Sequence, residues 1–163
     1  MLAGEDDTGE AFTPAERAML NNILRLREVR IADVMVPRAD VHAVDIDTTL
    51  GELLILFEES GHSRMPVYSE TLDDPRGMVH IRDVVARITT LARQKKKGAR
   101  KTAKAAAPVL DLANVDLSRT IGELNLVREV LFVPPSMLAS ELMTRMQASR
   151  IQIAMVIDEY GGT

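Results

Sequence analysis

A stretch of this chain matches itself at an offset of 89 residues. Laying His42–Glu70 on Leu131–Glu159 without a gap puts Val44 on Val133, Glu52–Leu53 on Glu141–Leu142, Ser60 on Ser149, Val67 on Val156 and Glu70 on Glu159. Apolar character is kept where identity is not, Phe57 meeting Met146 and Tyr68 meeting Ile157. A unit this short cannot close a core alone, so two copies are expected to pack face to face.

Each copy reads as strand, helix, strand. In the first, Val41–Ile46 has strand character, and Thr48 or Thr49 opens a helix with Glu52 in its first turn. Leu50, Leu53, Leu54 and Phe57 form the buried stripe of that helix, and Gly61 stops it. SRMPVYSE (63–70) is a strand containing a proline, which predicts an edge position or an unpaired N–H there. TLDDPRG reads as a turn, Gly77–His80 as a second short strand, and Ile81 to about Leu91 as a helix with Val84, Val85 and Ile88 inward. The second copy stops at EYGGT with no counterpart of GMVHIRDVVARI, so the chain is expected to be a fragment.

Ahead of the repeat, TPAE marks a helix start with Thr13 as cap, Pro14 in the first turn and Glu16 closing a capping box. Leu20, Ile23, Leu24 and Leu26 give that helix an apolar side in need of a partner surface. The organisation expected is therefore an acidic, frayed 1–12, a linker helix over 13–29, a first domain over 30–92, a basic linker over 93–107 and an incomplete second domain over 108–163. The basic stretch holds seven Lys or Arg without an apolar period, which suits a solvated loop better than a nucleic-acid or membrane contact. The fold class is α/β (α+β), short mixed sheets with two helices each.

Composition removes several functions. Of 163 residues 46 % are hydrophobic and 27 % charged, a globular balance. There is no Cys, so thiolate metal sites are excluded; His42, His62 and His80 are too few and too scattered in sequence to suggest a zinc cluster. A net charge of −4 and five aromatics without Trp argue against nucleic acid as partner. No apolar run approaches the ~20 residues of a membrane span. The N-terminus is acidic where a secretory signal is basic, so a cytoplasmic protein is expected, with the inner face of a membrane as a possible station. SMLASELMTRM (136–146) reads as core filler rather than a soft-metal site.

Two stretches carry candidate sites. In GMVHIRD (77–83), a strand runs into a helix, placing His80 at the cap and Asp83 in the first turn. That arrangement is either plain capping or a phosphate and ribose clamp at a helix N-terminus. Catalysis by the pair lacks a nucleophile, a metal-ligand set or a third member. In GHSRMPVY (61–68), the proline opens the ladder; Met65 and Val67 alternate toward an apolar wall, and Arg64 can reach phosphate, against the plainer reading of an edge strand with a solvated Arg.

DVMVPR (33–38), GHSRMPVY, GMVHIRD and IAMVIDEYGGT (153–163) together resemble the paired cystathionine-β-synthase (CBS) domains, or Bateman module, of the magnesium and cobalt efflux (CorC), haemolysin C-like family. The resemblance runs from about Leu26 to Thr163, broken by the basic insert. It implies a non-catalytic regulatory module that homodimerises and binds an adenine nucleotide (ATP, ADP or AMP), with Mg²⁺ through the phosphates. It further implies service to a membrane transporter or to a following C-terminal domain. By resemblance, adenine packs on Met65–Pro66 with Met35–Val36 opposite, in a cleft lined by His62–Pro66 (Ser63 included), and Arg64 meets phosphate. Asp83 holds ribose with His80 where a hydroxyl is usual, and the other wall of that cleft comes from Phe132, Val133, Ile153 and Ala154. The alternative is a structural dimerisation module with vestigial clefts.

Overall fold

A computed structural model describes residues 12–93 and 110–163. The readings made for 1–11 and for 94–107 lie outside the described residues.

Helix α1 (Pro14–Arg25) begins as its sequence requires: Glu16 N donates to the Thr13 hydroxyl at 3.2 Å and Thr13 N donates to the Glu16 carboxylate at 2.6 Å. None of its residues is buried, and Met19, Leu20, Ile23 and Leu24 stay exposed. After the single turn α2 (Ile31–Val34), the first copy runs β1 (Val44–Asp45), α3 (Leu50–Ser60), β2 (Arg64–Ser69), β3 (Thr71–His80) and α4 (Ile81–Ala92). The second runs β4 (Leu131–Val133), α5 (Ala139–Ser149) and β5 (Ala154–Val156).

The repeat is exact in register. Parallel β1 and β2 pair Val44 with Val67, and parallel β4 and β5 pair Val133 with Val156, each partner displaced by the same 89 residues. Helix α5 likewise begins and ends 89 residues after α3.

Three strand expectations change. The first strand shrinks to Val44–Asp45 because the chain before it turns through a 3-10 segment at Arg38–Asp40. TLDDPRG is not a turn: it belongs to β3, which pairs antiparallel with β2 from Thr71 to His80, and the reversal is confined to Glu70 with φ 63°. Pro75 is tolerated there because β3 is the outer strand of the order β1-β2-β3. SRMPVYSE is the central strand rather than an edge, but β1 reaches only Val67 and Tyr68. Beside Pro66 the β1 side of the ladder is open.

The two cores are built from exchanged segments. Ile121, Leu124 and Leu126 are buried in the first core with Val44, Leu50, Leu53, Phe57, Met65, Val67, Val79 and Val84. Conversely Ile31, with Leu26 and Val29 against it, is buried with Val133, Met137 and Ala139 of the second. Backbone bonds fix both crossings: Leu50 N donates to Arg119 O at 2.8 Å, and Ala139 N to Val29 O at 2.9 Å. Each fully buried Leu or Ile contributes about 1.5–3 kcal/mol, so neither copy keeps its core without the other's approach segment. Met78, Val130 and Met155 form a third, smaller cluster.

Candidate functional site: a cleft between the two copies

The open side of β2 faces a cleft of about 720 Å³ between the copies. Met35 and Val36 enter it because the peptide before Pro37 is extended and ends α2. His62 and Arg64 come from the start of β2, Pro66 from its middle, and His42 from the approach to β1. The second copy supplies Ile153, Ala154 and Ile157 along β5, with Leu142 and Met146 of α5.

Two guanidinium groups stand in this apolar surround. Arg38 donates to Asp73 Oδ1 at 2.5 Å and to the Thr163 carbonyl at 2.8 Å, and the Asp73 hydrogen bond raises its pKa above the usual arginine value. Arg64 donates from Nη2 to Gln152 Oε1, a bond that joins β2 to the segment leading into β5. An apolar cleft of this volume with a few placed polar groups suits a nucleotide-sized ligand, and the donor set is one for anionic oxygen.

Of the residues singled out from sequence, Met35, Val36, His62, Arg64, Pro66, Ile153 and Ala154 meet in this one cleft. Others fall elsewhere. Met65 is buried in the first core because alternation turns 65 and 67 inward when 64 and 66 face the cleft. Val133 is likewise inside the second core, while Phe132, next to it, is 44 % exposed on the outer face of β4. Ser63 serves the backbone, its carbonyl accepting from Ile81 N at 3.0 Å. Ile153 and Ala154 wall the Pro66 cleft.

His80 and Asp83 stand together at the start of α4; neither lines the cleft, but His80 pairs across the ladder with Arg64, which does. His80 caps the helix, its Nδ1 accepting from Arg82 N at 3.0 Å. Burial, with Arg64, Arg128 and Arg82 nearby, holds its pKa below the ordinary histidine value against the opposing pull of Asp83. Asp83 is engaged by Arg128, whose Nε donates to Oδ2 and Nη2 to Oδ1.

Sequence reasoning missed His42, Arg38, Ile157 and Arg128. Arg38 lies within the quoted DVMVPR, and Ile157 lies opposite Tyr68 in the repeat, so both had a signal. His42 had none: its ring comes within 5.3 Å of that of His62, although 20 residues of sequence separate them. Nor did Arg128, which reaches Asp83 across the basic insert. Among the described residues no group of three or more His, Asp or Glu stands close enough to hold a metal ion.

Residues 31–90 match the family model described as the CBS domain. A fold of two exchanged strand–helix–strand units with a cleft between them, carrying that match, makes this a CBS-domain protein. Within that class it is similar to haemolysin C-like and CNNM/CorC chains. It is 33 % identical over 155 residues to the hemolysin C homolog of Rickettsia rickettsii (strain Sheila Smith), covering 94 % of this chain and 43 % of that one. It superposes on the CBS domain of a bacterial CNNM/CorC family Mg²⁺ transporter with a TM-score of 0.71 at 29 % identity, over 94 % of this chain and 78 % of that one. The structure of such a domain in complex with ATP gives 0.70 at 29 % identity, over 92 % and 88 %. The chain spans less than half the length of the curated relatives it matches.

Proposed function

We propose that this chain is a regulatory module that binds an adenine nucleotide in the cleft between its two copies, and that it acts on a protein of divalent-cation transport, magnesium or cobalt. The carrying observation is the composition of the cleft: Met35, Val36 and Pro66 facing Ile153 and Ala154, with Arg38 and Arg64 beside them. The apolar pair of walls takes a purine face, and the guanidinium groups take phosphate oxygens. A similar domain was solved in complex with ATP, which supports the same ligand class here. Mg²⁺ enters this reading only as the counter-ion of the phosphates.

The module regulates and does not catalyse. Ligand bound to both walls favours whichever relative angle of the copies it fits best, and a neighbouring domain or a second copy reads that angle. Homodimerisation through the CBS domains and residence at the cytoplasmic face of a membrane belong to the same proposal.

The test is calorimetry and thermal melting with ATP, ADP and AMP, each with and without Mg²⁺. A saturable heat and a raised melting temperature are expected for at least one nucleotide. Val36, 63 % exposed on the cleft wall, offers the control: Val36→Asp places a like charge beside the phosphates and is expected to abolish the response while leaving the apo melting temperature within about 1–2 °C. A stable dimer with no response to any nucleotide would favour the structural dimerisation reading instead.

A further inference from the structure

Arg38 lines the cleft between the copies, yet its guanidinium is already engaged. Its Nη1 donates to Asp73 Oδ1 at 2.5 Å and to Thr163 O at 2.8 Å. Asp73 belongs to β3 and reaches Arg38 from outside the cleft lining. A second carboxylate stands beside it. Asp158 folds the EYGG turn about itself, its Oδ1 accepting from Tyr160 N at 2.9 Å and from Gly162 N at 2.8 Å. Gly162 lies between the two acids: a side-chain carbon there would come 3.0 Å from Asp73 Oδ1 and 3.3 Å from Asp158 Oδ2. One guanidinium against two carboxylates leaves this end of the cleft net negative before any ligand arrives.

We propose that Asp73 is a resident anion of the cleft: it holds the Arg38 guanidinium in the place of a ligand phosphate, and so sets how strongly the cleft selects phosphorylated ligands. The proposal rests on the nucleotide reading above and names the residue that tunes its phosphate specificity. Carboxylate and phosphate offer the same kind of anionic oxygen to a guanidinium, so the two compete for the same donors. A phosphate that reaches Arg38 must displace Asp73, and the freed carboxylate then remains beside it with Asp158, like charge against like. Neither cost falls on a ligand without phosphate. The pair is able to open because both side chains are about half exposed, 49 % for Arg38 and 57 % for Asp73, where an ion pair is weak.

The test is calorimetry on the 163-residue chain in EDTA, so that no divalent cation screens the phosphates, with ATP, adenosine and inorganic tripolyphosphate as ligands. Asp73→Asn is expected to tighten ATP and tripolyphosphate about five- to tenfold, to leave adenosine within about twofold, and to keep the melting temperature within about 2 °C. Asp74→Asn removes the same charge one residue away, from a carboxylate paired with Arg76 at 2.6 Å, and is expected to leave all three ligands as in wild type. In an Arg38→Ala background, adding Asp73→Asn is expected to bring no further gain.

Unchanged ATP affinity in Asp73→Asn, an equal gain in Asp74→Asn, or a gain that survives Arg38→Ala would each overturn the proposal while leaving nucleotide binding intact. Tripolyphosphate tightened by Asp73→Asn, with no nucleotide bound by any variant, would refute the nucleotide reading and keep the resident anion. If none of the three ligands binds to any variant, both fall.

Discussion

Gly61 and Arg150 occupy the same backbone position 89 residues apart, both left-handed, with φ of 66° and 58° as they close α3 and α5. Glycine takes this conformation freely, whereas a residue with a Cβ is strained there by about 1–2 kcal/mol. The second copy has kept the path of the chain and lost the residue suited to it. Arg150→Gly is therefore expected to stabilise the protein by about 1 kcal/mol, and Gly61→Ala to destabilise it by a similar amount. Urea denaturation of the two variants checks both signs.

The N-termini of the same two helices differ in parallel fashion. Thr49 and Glu52 form a reciprocal box, Glu52 N donating to Thr49 Oγ1 at 3.3 Å and Thr49 N to Glu52 Oε2 at 3.0 Å, while Leu138 at the corresponding place makes no side-chain cap. Helix α5 starts on backbone bonds and packing alone. Thr49→Ala should cost about 1 kcal/mol of stability in chemical denaturation.

Gly77 is the tightest crossing point between the copies. Any side chain would meet Arg128 O and the Val127 side chain, and the backbone conformation is itself one that favours glycine. Gly77→Ala is expected to cost more than 2 kcal/mol, since either β3 or the 126–130 segment must shift. The diagnostic sign is a denaturation midpoint lowered in a single transition, since neither copy keeps its core once the crossing is lost.

Acid should weaken the fold through His80. Its pKa in the folded chain is depressed below the ordinary 6.5, so between the two values the unfolded chain binds more protons and stability rises with pH. The contribution is complete above 6.5 and is lost as pH falls through the depressed value. His80→Asn keeps a cap acceptor without titrating. Denaturation midpoints compared at pH 8 and pH 5.5 should show a smaller acid loss in the variant than in wild type.

Arg64 lines the cleft and also bonds to Gln152 across it. If the phosphates lie at this end, Arg64→Ala should weaken ATP about tenfold and adenosine little, the loss expected for one charge-assisted hydrogen bond. Equal loss for both would place the phosphates elsewhere.

What was legible in the sequence was local or repeated. The capping box at Thr13, the stop at Gly61, the span of α4 and the 89-residue offset all depend on residues within a few positions of each other, or on a pattern present twice. The candidate residues of the Pro66 cleft were legible for the same reason, being grouped in DVMVPR, GHSRMPVY and the start of the last strand. Strand position was not. Pro66 predicts an edge or an unpaired N–H, and only the structure chooses the second: β3 pairs with it on one side while β1 stops at Val67 on the other.

By itself, then, the sequence determined the repeated units, their helices and the CBS class. Tertiary structure decided which segment fills which core, sending Ile31 to the second copy and Ile121 to the first. It also decided that Met65 turns inward, that His42 meets His62, and that Asp83 is taken by Arg128. The physical reason is common to all of these: local propensity and periodicity specify a side chain's face, but a contact 45 or 90 residues away is selected by how two half-cores close on each other.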